Sequence, residues 1–184
     1  MNKKYFKIPQ SIFQSNLSSS EWSTVLALYQ LKNQNNGKIS IKQKDLQSIT
    51  GIKSIPTLQK AINKLCELDI ILNKTRHLSS KNHLPGVYQY ELLEDDTWVN
   101  IDNNIFSYGL RPRGIRLYAF INYWIGDNEY CEISYNQISA QSRTTRSQTF
   151  EIMNELKNKK VIIAKYITKD DGSYSNNRYY LNIK

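Results

Sequence analysis

The side chains with the clearest chemical meaning lie between residues 45 and 71. A helix beginning near Asp45 runs to Gly51, where a residue without a Cβ adopts the left-handed cap at little cost. A second helix then starts with Lys53 or Ser54 at its N-terminus. Ile55, Leu58, Ala61, Ile62 and Leu65 recur on one helical stripe. Lys53, Pro56, Lys60, Asn63 and Lys64 therefore fall on the opposite side, with Thr57 and Gln59 on its flanks. Ammonium groups suit phosphates or guanine edges, and amides and hydroxyls suit base edges. A helix that is basic and amide-rich on its wet side is what the major groove of a duplex accepts.

A second set stands at Arg143, Thr144, Thr145, Arg146, Ser147 and Gln148. Its hydroxyls can cap a helix that its arginines flank, and helix N-termini attract phosphate through free N–H groups and the helix dipole. Arg also meets a guanine edge with two hydrogen bonds. Two polar loops supply the remaining candidates. The first carries Lys74, Arg76, His77, Lys81 and His83, and the second Lys165, Lys169, Asp170, Asp171 and Arg178. A basic hairpin tip touches phosphates or the minor groove; the alternative is a solvated loop that maintains solubility. In the second loop, Asp170 and Asp171 oppose phosphate.

Other chemistries lack their residues. His77 and His83 have no cysteine or carboxylate cluster to complete a tetrahedral metal set, so no metal site is expected. No G-x-S-x-G, P-loop, H-E-x-x-H or G-x-G-x-x-G motif occurs. Neither enzymatic activity nor a cofactor is expected. Tyr88, Tyr90, Tyr179 and Tyr180 could stack on bases, but at strand alternation core packing is the simpler expectation.

The elements that must position these groups occur twice. Ile12-Phe13 recurs as Ile105-Phe106 at a spacing of 93, Ile39 as Ile133 at 94, and Leu65 as Leu156 and Tyr88 as Tyr179 at 91. In each copy a short extended stretch (5–9; 98–101) precedes an apolar helix. The first such helix opens on the capping box Ser18-x-x-Glu21, and the second spans about 111–125. A turn, a short alternating strand, two helices, an apolar strand, a polar loop and an aromatic strand follow. That order is the winged-helix order. The expected fold is α+β, two winged helix-turn-helix modules at 1–93 and 94–184, forming an internal pseudo-dimer, with Glu94-Asp95-Asp96 at the junction.

Charge separates the copies. Residues 1–93 carry 13 Lys/Arg against 5 Asp/Glu, whereas 94–184 carry 12 against 11. A basic surplus points to an anionic partner, nucleic acid or an acidic membrane surface. The chain has no apolar run long enough to cross a bilayer, and residues 1–7 lead into no apolar signal core, so a cytoplasmic protein is expected. Cys66 and Cys131 lie far apart in apolar stretches and read as small core residues.

The run Thr-Gly-Ile-Lys-Ser (50–54), continuing through Thr-Leu-Gln-Lys-Ala-Ile-Asn-Lys-Leu (57–65) to Leu-Asp-Ile-Ile (68–71), resembles the helix-turn-helix of bacterial winged-helix regulators. The second copy departs from it with Arg143 in place of the turn glycine. The duplicated layout and the opening Tyr5-Phe6-Lys7-Ile8-Pro9 look like tandem winged-helix DNA-binding proteins of Gram-positive plasmids and conjugative elements. That resemblance implies double-stranded DNA as partner and a regulator, or repressor, of a plasmid or transfer operon. Replication initiation or partition at origin repeats is the alternative, and a winged-helix protein-interaction scaffold is a third reading. No membrane and no small-molecule ligand is expected, and the chain acts as a monomeric pseudo-dimer or a weak homodimer.

Overall fold

A computed structural model describes residues 4–77, 86–167 and 176–182. The chain is α+β and divides into two compact units, 1–106 and 107–184. Among the described residues there are six α-helices and three small antiparallel sheets. No helix among them is long and apolar enough to cross a membrane.

The first unit begins with β1 (Tyr5–Pro9) and a 3-10 turn (Gln10–Gln14). Ser18 and Glu21 then form the capping box their spacing predicts: Ser18 Oγ accepts the Glu21 N–H at 3.4 Å, and the Glu21 carboxylate accepts the Ser18 N–H at 2.6 Å. This starts α1 (Ser19–Gln34), which buries Trp22, Val25, Leu26 and Leu28 completely. After β2 (Ile39–Lys42) come α2 (Gln43–Thr50) and α3 (Ile55–Glu67). α1 packs on both of these helices. β3 (Ile71–His77) and β4 (Val87–Leu92) complete a sheet of order β2-β4-β3.

β5 (Trp98–Asp102) corrects the expected boundary. The sequence reading assigns 98–101 to the second module and cuts at 93/94. In the structure β5 pairs antiparallel with β1, from Tyr5 opposite Asp102 to Pro9 opposite Trp98. Phe6, Ile8 and Ile101 are fully buried there, so residues 94–106 belong to the first unit.

The second unit repeats the order with α4 (Pro112–Ile125), β6 (Cys131–Ile133), α5 (Tyr135–Ser142), α6 (Arg146–Asn158), β7 (Ile162–Lys165) and β8 (Asn177–Leu181). Its sheet has the order β6-β8-β7. The start of α4 is capped differently from α1. Where α1 has Ser18 and Glu21, α4 has Arg111 and Gly114, and the capping carboxylate comes from α6. Glu155 accepts the Arg111 backbone N–H at 2.9 Å and its guanidinium at 3.1 Å. A Cβ on Gly114 would sit 3.5 Å from that carboxylate, in ordinary contact with it.

Candidate nucleic-acid interface

In the first unit a left-handed Gly51 (φ 67°, ψ 15°) ends α2. Ser54 then caps α3, accepting the Thr57 N–H at 3.3 Å while the two hydroxyls lie 2.8 Å apart. Leu58, Ala61, Ile62 and Leu65 are buried, as the stripe predicts. Lys53, Pro56, Thr57, Gln59, Lys60, Asn63 and Lys64 are exposed, and Ser54 is half-buried. Lys64 pairs with Glu67 at 3.0 Å in an exposed i,i+3 contact, an interaction worth little in water. Lys53 and Lys60 have no ion-pair or hydrogen-bond partner among the described residues. Gln59 donates to Gln43 at 3.2 Å, which adds the first residue of α2 to this surface. Sequence reasoning missed Gln43 because no local periodicity links positions 16 apart.

The neighbouring sheet contributes two more cations. Lys74 and Arg76 lie over the Tyr88 ring, 5.4 and 5.8 Å from its centroid. In the β3–β4 ladder Lys74 stands opposite buried Tyr90, and Arg76 opposite Tyr88. Both cations therefore share the core-side face of the sheet. Tyr88 is half-buried and stacks on Tyr90 at 6.3 Å, so one tyrosine of the pair is core and the other is a platform for cations. Lys81 lies outside the described residues.

In the second unit Arg143 takes the place of Gly51 and the same left-handed conformation (φ 49°, ψ 47°). The turn survives without its glycine. Thr145 and Gln148 form a capping box on α6, with Thr145 Oγ1 accepting the Gln148 N–H at 3.2 Å. Thr144 is half-buried and hydrogen-bonded to Ser142 at 2.8 Å and Thr149 at 2.7 Å. Ser139 reaches Thr149 at 3.0 Å. These hydroxyls hold α5 to α6 where the first unit uses buried Ile52 and Leu58. Arg143, Arg146 and Ser147 are exposed. Neither arginine has a side-chain partner among the described residues.

Beyond that first turn the two helices diverge. Where α3 presents Gln59, Lys60, Asn63 and Lys64, α6 carries Phe150, Glu151, Asn154 and Glu155. Phe150 and Glu151 are exposed, while Glu155 is occupied at the start of α4. Positive charge on α6 is thus absent from its middle: Arg146 stands in the first turn and half-buried Lys157 in the last. Phe150 went unmarked in the sequence reading, although aligning the copies at the spacing of 91 sets it against Gln59.

Lys165 also departs from its counterpart Lys74. A bulge between Ile71 and Asn73 shifts the register of β3 by one residue, and such a slip turns a side chain to the other face. β7 has no such shift: Ala164 faces buried Tyr179, and Lys165 faces Arg178. Lys165 therefore lies on the outer side of its sheet, 4.7 Å over the Tyr180 ring. On that side Arg178 covers Tyr130 at 4.6 Å and pairs with Glu132. Lys169 lies outside the described residues.

A hollow of about 290 Å³ in the first unit is lined by Lys7, Tyr29, Lys32, Glu94 and Trp98. Its Lys32 is already paired with Glu94 at 2.6 Å. No protein-family model and no curated protein matches this chain.

Proposed function

We propose that the chain is a sequence-specific double-stranded-DNA-binding protein, and not an enzyme, built from two winged helix-turn-helix modules in tandem. The observation that carries this reading is the outward face of α3. Seven polar or proline side chains are exposed along it, and Lys53 and Lys60 have no partner among the described residues. Their charge serves no ion pair there. A helix of that composition, beside Lys74 and Arg76 on the core side of the adjoining sheet, suits a duplex: cations for phosphates, Gln59 and Asn63 for adenine edges.

The α6 end supplies Arg143 and Arg146 at a capped helix start, a position that favours phosphate or a guanine edge. Occupancy of a site is enough for a protein of this kind to act. The resemblance to tandem winged-helix proteins of mobile elements makes regulation of a plasmid or conjugative-transfer operon the role we assign.

Titration of fluorescent duplex with the full chain between 50 and 200 mM salt tests the reading. Several phosphate contacts give a log–log slope of about −0.9 per phosphate neutralised. Micromolar binding with no salt dependence and no sequence preference would sink it. Within the reading, Lys60→Ala weakens all duplexes evenly, whereas Arg146→Ala costs about 1–3 kcal/mol on the preferred sequence and less on others.

A further inference from the structure

The centre of α6 carries the chemistry least expected of a phosphate-binding surface. Phe150, its fifth residue, is 55% exposed, and Tyr166, just past β7, is 66% exposed. The Phe150 ring lies 6.3 Å from that of Tyr135, the first residue of α5. Tyr166 follows Ala164 by two residues and so returns to the Tyr179 side of the sheet. Burial first, and then Tyr166, raise the pKa of the Tyr135 hydroxyl, and Tyr166 contributes likewise at Tyr179. Phe150 and Tyr135 thus form an aromatic pair that bridges α6 and α5.

The first unit shows that the fold does not require this. At the fifth position of α3 and the first of α2 it has Gln59 and Gln43, hydrogen-bonded to each other. More than half of the Phe150 side chain gains nothing from burial in its own unit, so that apolar surface is available to a partner. Such a pair is too small for a stable protein partner, whose interface needs about 1,200 Å². Exposed charges flank Phe150 along the chain, Arg143 and Arg146 before it and Glu151 after it, and Arg146, four residues earlier, shares its helix face. An apolar spot beside unpaired guanidinium groups matches a major-groove floor, where a thymine methyl lies between phosphates, and phenylalanine is among the side chains that meet that methyl.

We propose that Phe150, backed by Tyr135, reads thymine through its 5-methyl group, so that the second unit prefers A·T pairs under the middle of α6. This rests on the duplex-binding reading above and adds the base it selects. The probe is a duplex selected from random-sequence DNA with the full chain, compared with the same duplex made with deoxyuridine in place of thymidine. Wild-type protein should bind the thymidine duplex about four-fold more tightly for each methyl contacted. Phe150→Gln, which installs the first unit's residue at an exposed site, should bring the ratio to one, and Phe150→Leu should keep part of it. Equal binding of both duplexes by the wild type, or a ratio that persists in Phe150→Gln, overturns the thymine assignment and leaves duplex binding standing. A change from dimer to monomer on Phe150→Gln in sedimentation also overturns it, because the rings would then join two copies. Failure to enrich any duplex removes both this inference and the reading beneath it.

Discussion

α3 and α6 hold the same place in two units of the same element order, yet they have kept different parts of one surface. α3 carries exposed Lys60 and Lys64, with exposed Lys53 just before its cap. α6 has Arg143 and Arg146 at its start, turns aromatic and acidic through its middle, and carries only half-buried Lys157 in its last turn. The difference extends to what holds each helix. α3 is seated by apolar contacts at Ile52 and Leu58, α6 by the hydroxyls of Ser139, Ser142, Thr144 and Thr149. On the proposed reading, one face suits affinity for the backbone of DNA and the other discrimination among bases.

The largest expected effect breaks or confirms that division at the level of binding. Lys53→Ala with Lys60→Ala should lower duplex affinity about 30-fold at 0.15 M salt, evenly across sequences, and flatten the salt slope by about 2. Conversely, Glu151→Lys, which gives α6 the chemistry of Lys60, should raise affinity for unrelated sequences about five-fold. Filter binding at several salt concentrations measures both. If Lys53→Ala with Lys60→Ala changes sequence preference instead, the two helices do not differ in the way described.

Next comes the seating of the helices. Thr149→Ala removes a buried hydroxyl and one partner each from half-buried Ser139 and Thr144, and should destabilise by about 1 kcal/mol in denaturant melts. Thr144→Ile combined with Thr149→Leu restores the first unit's apolar pair and should be near neutral, because the hydroxyls that bond each other go together and Ser139 and Ser142 keep their backbone acceptors at Tyr135 and Ile138. An equal loss in both variants would show that the hydroxyl network is not what joins α5 to α6.

Smaller effects of opposite sign are expected at the turns. Gly51→Ala forces a side chain into φ 67° and should cost about 1 kcal/mol. Arg143→Gly relieves the same conformation in the second unit and should raise stability by about 0.5 kcal/mol while weakening duplex binding. A thermal melt beside a binding curve separates the two effects.

The smallest effect is alkaline. Burial pushes the Cys131 thiol up to about 11 from an ordinary value near 9. The unfolded chain therefore loses that proton first, so stability is unaffected below pH 9, falls between about pH 9 and 11, and then levels. Cys66 is raised in the same direction by burial, against which Lys74 acts, but it is only half-buried. Cys131→Ala should flatten the decline in Tm over that window more than Cys66→Ala does.

What the sequence made legible was local. The Ser18–Glu21 box, the left-handed Gly51, the apolar stripe of α3 and the exposed polar stripe opposite it all follow from spacings of three or four residues. What it concealed depended on partners far along the chain. Glu155 caps a helix 44 residues upstream, and Gln43 meets Gln59 only because α2 and α3 fold against each other. The bulge at Ile71/Asn73 is a single-residue slip without a sequence mark, yet it places Lys74 and Lys165 on opposite faces. The tyrosine pairs were half legible: Tyr90 and Tyr179 are core, while Tyr88 and Tyr180 carry cations.

The ladder between β1 and β5 governs how the molecule can be taken apart. A fragment ending at residue 93 would strip the first strand of the ladder partner it has among the described residues and leave Phe6 and Ile8 behind a raw edge, an invitation to aggregate. Cutting between 106 and 107 instead leaves that strand with its partner. Expression of 1–106 and 107–184 as separate polypeptides is thus the dissection by which each half's share in binding can be weighed alone.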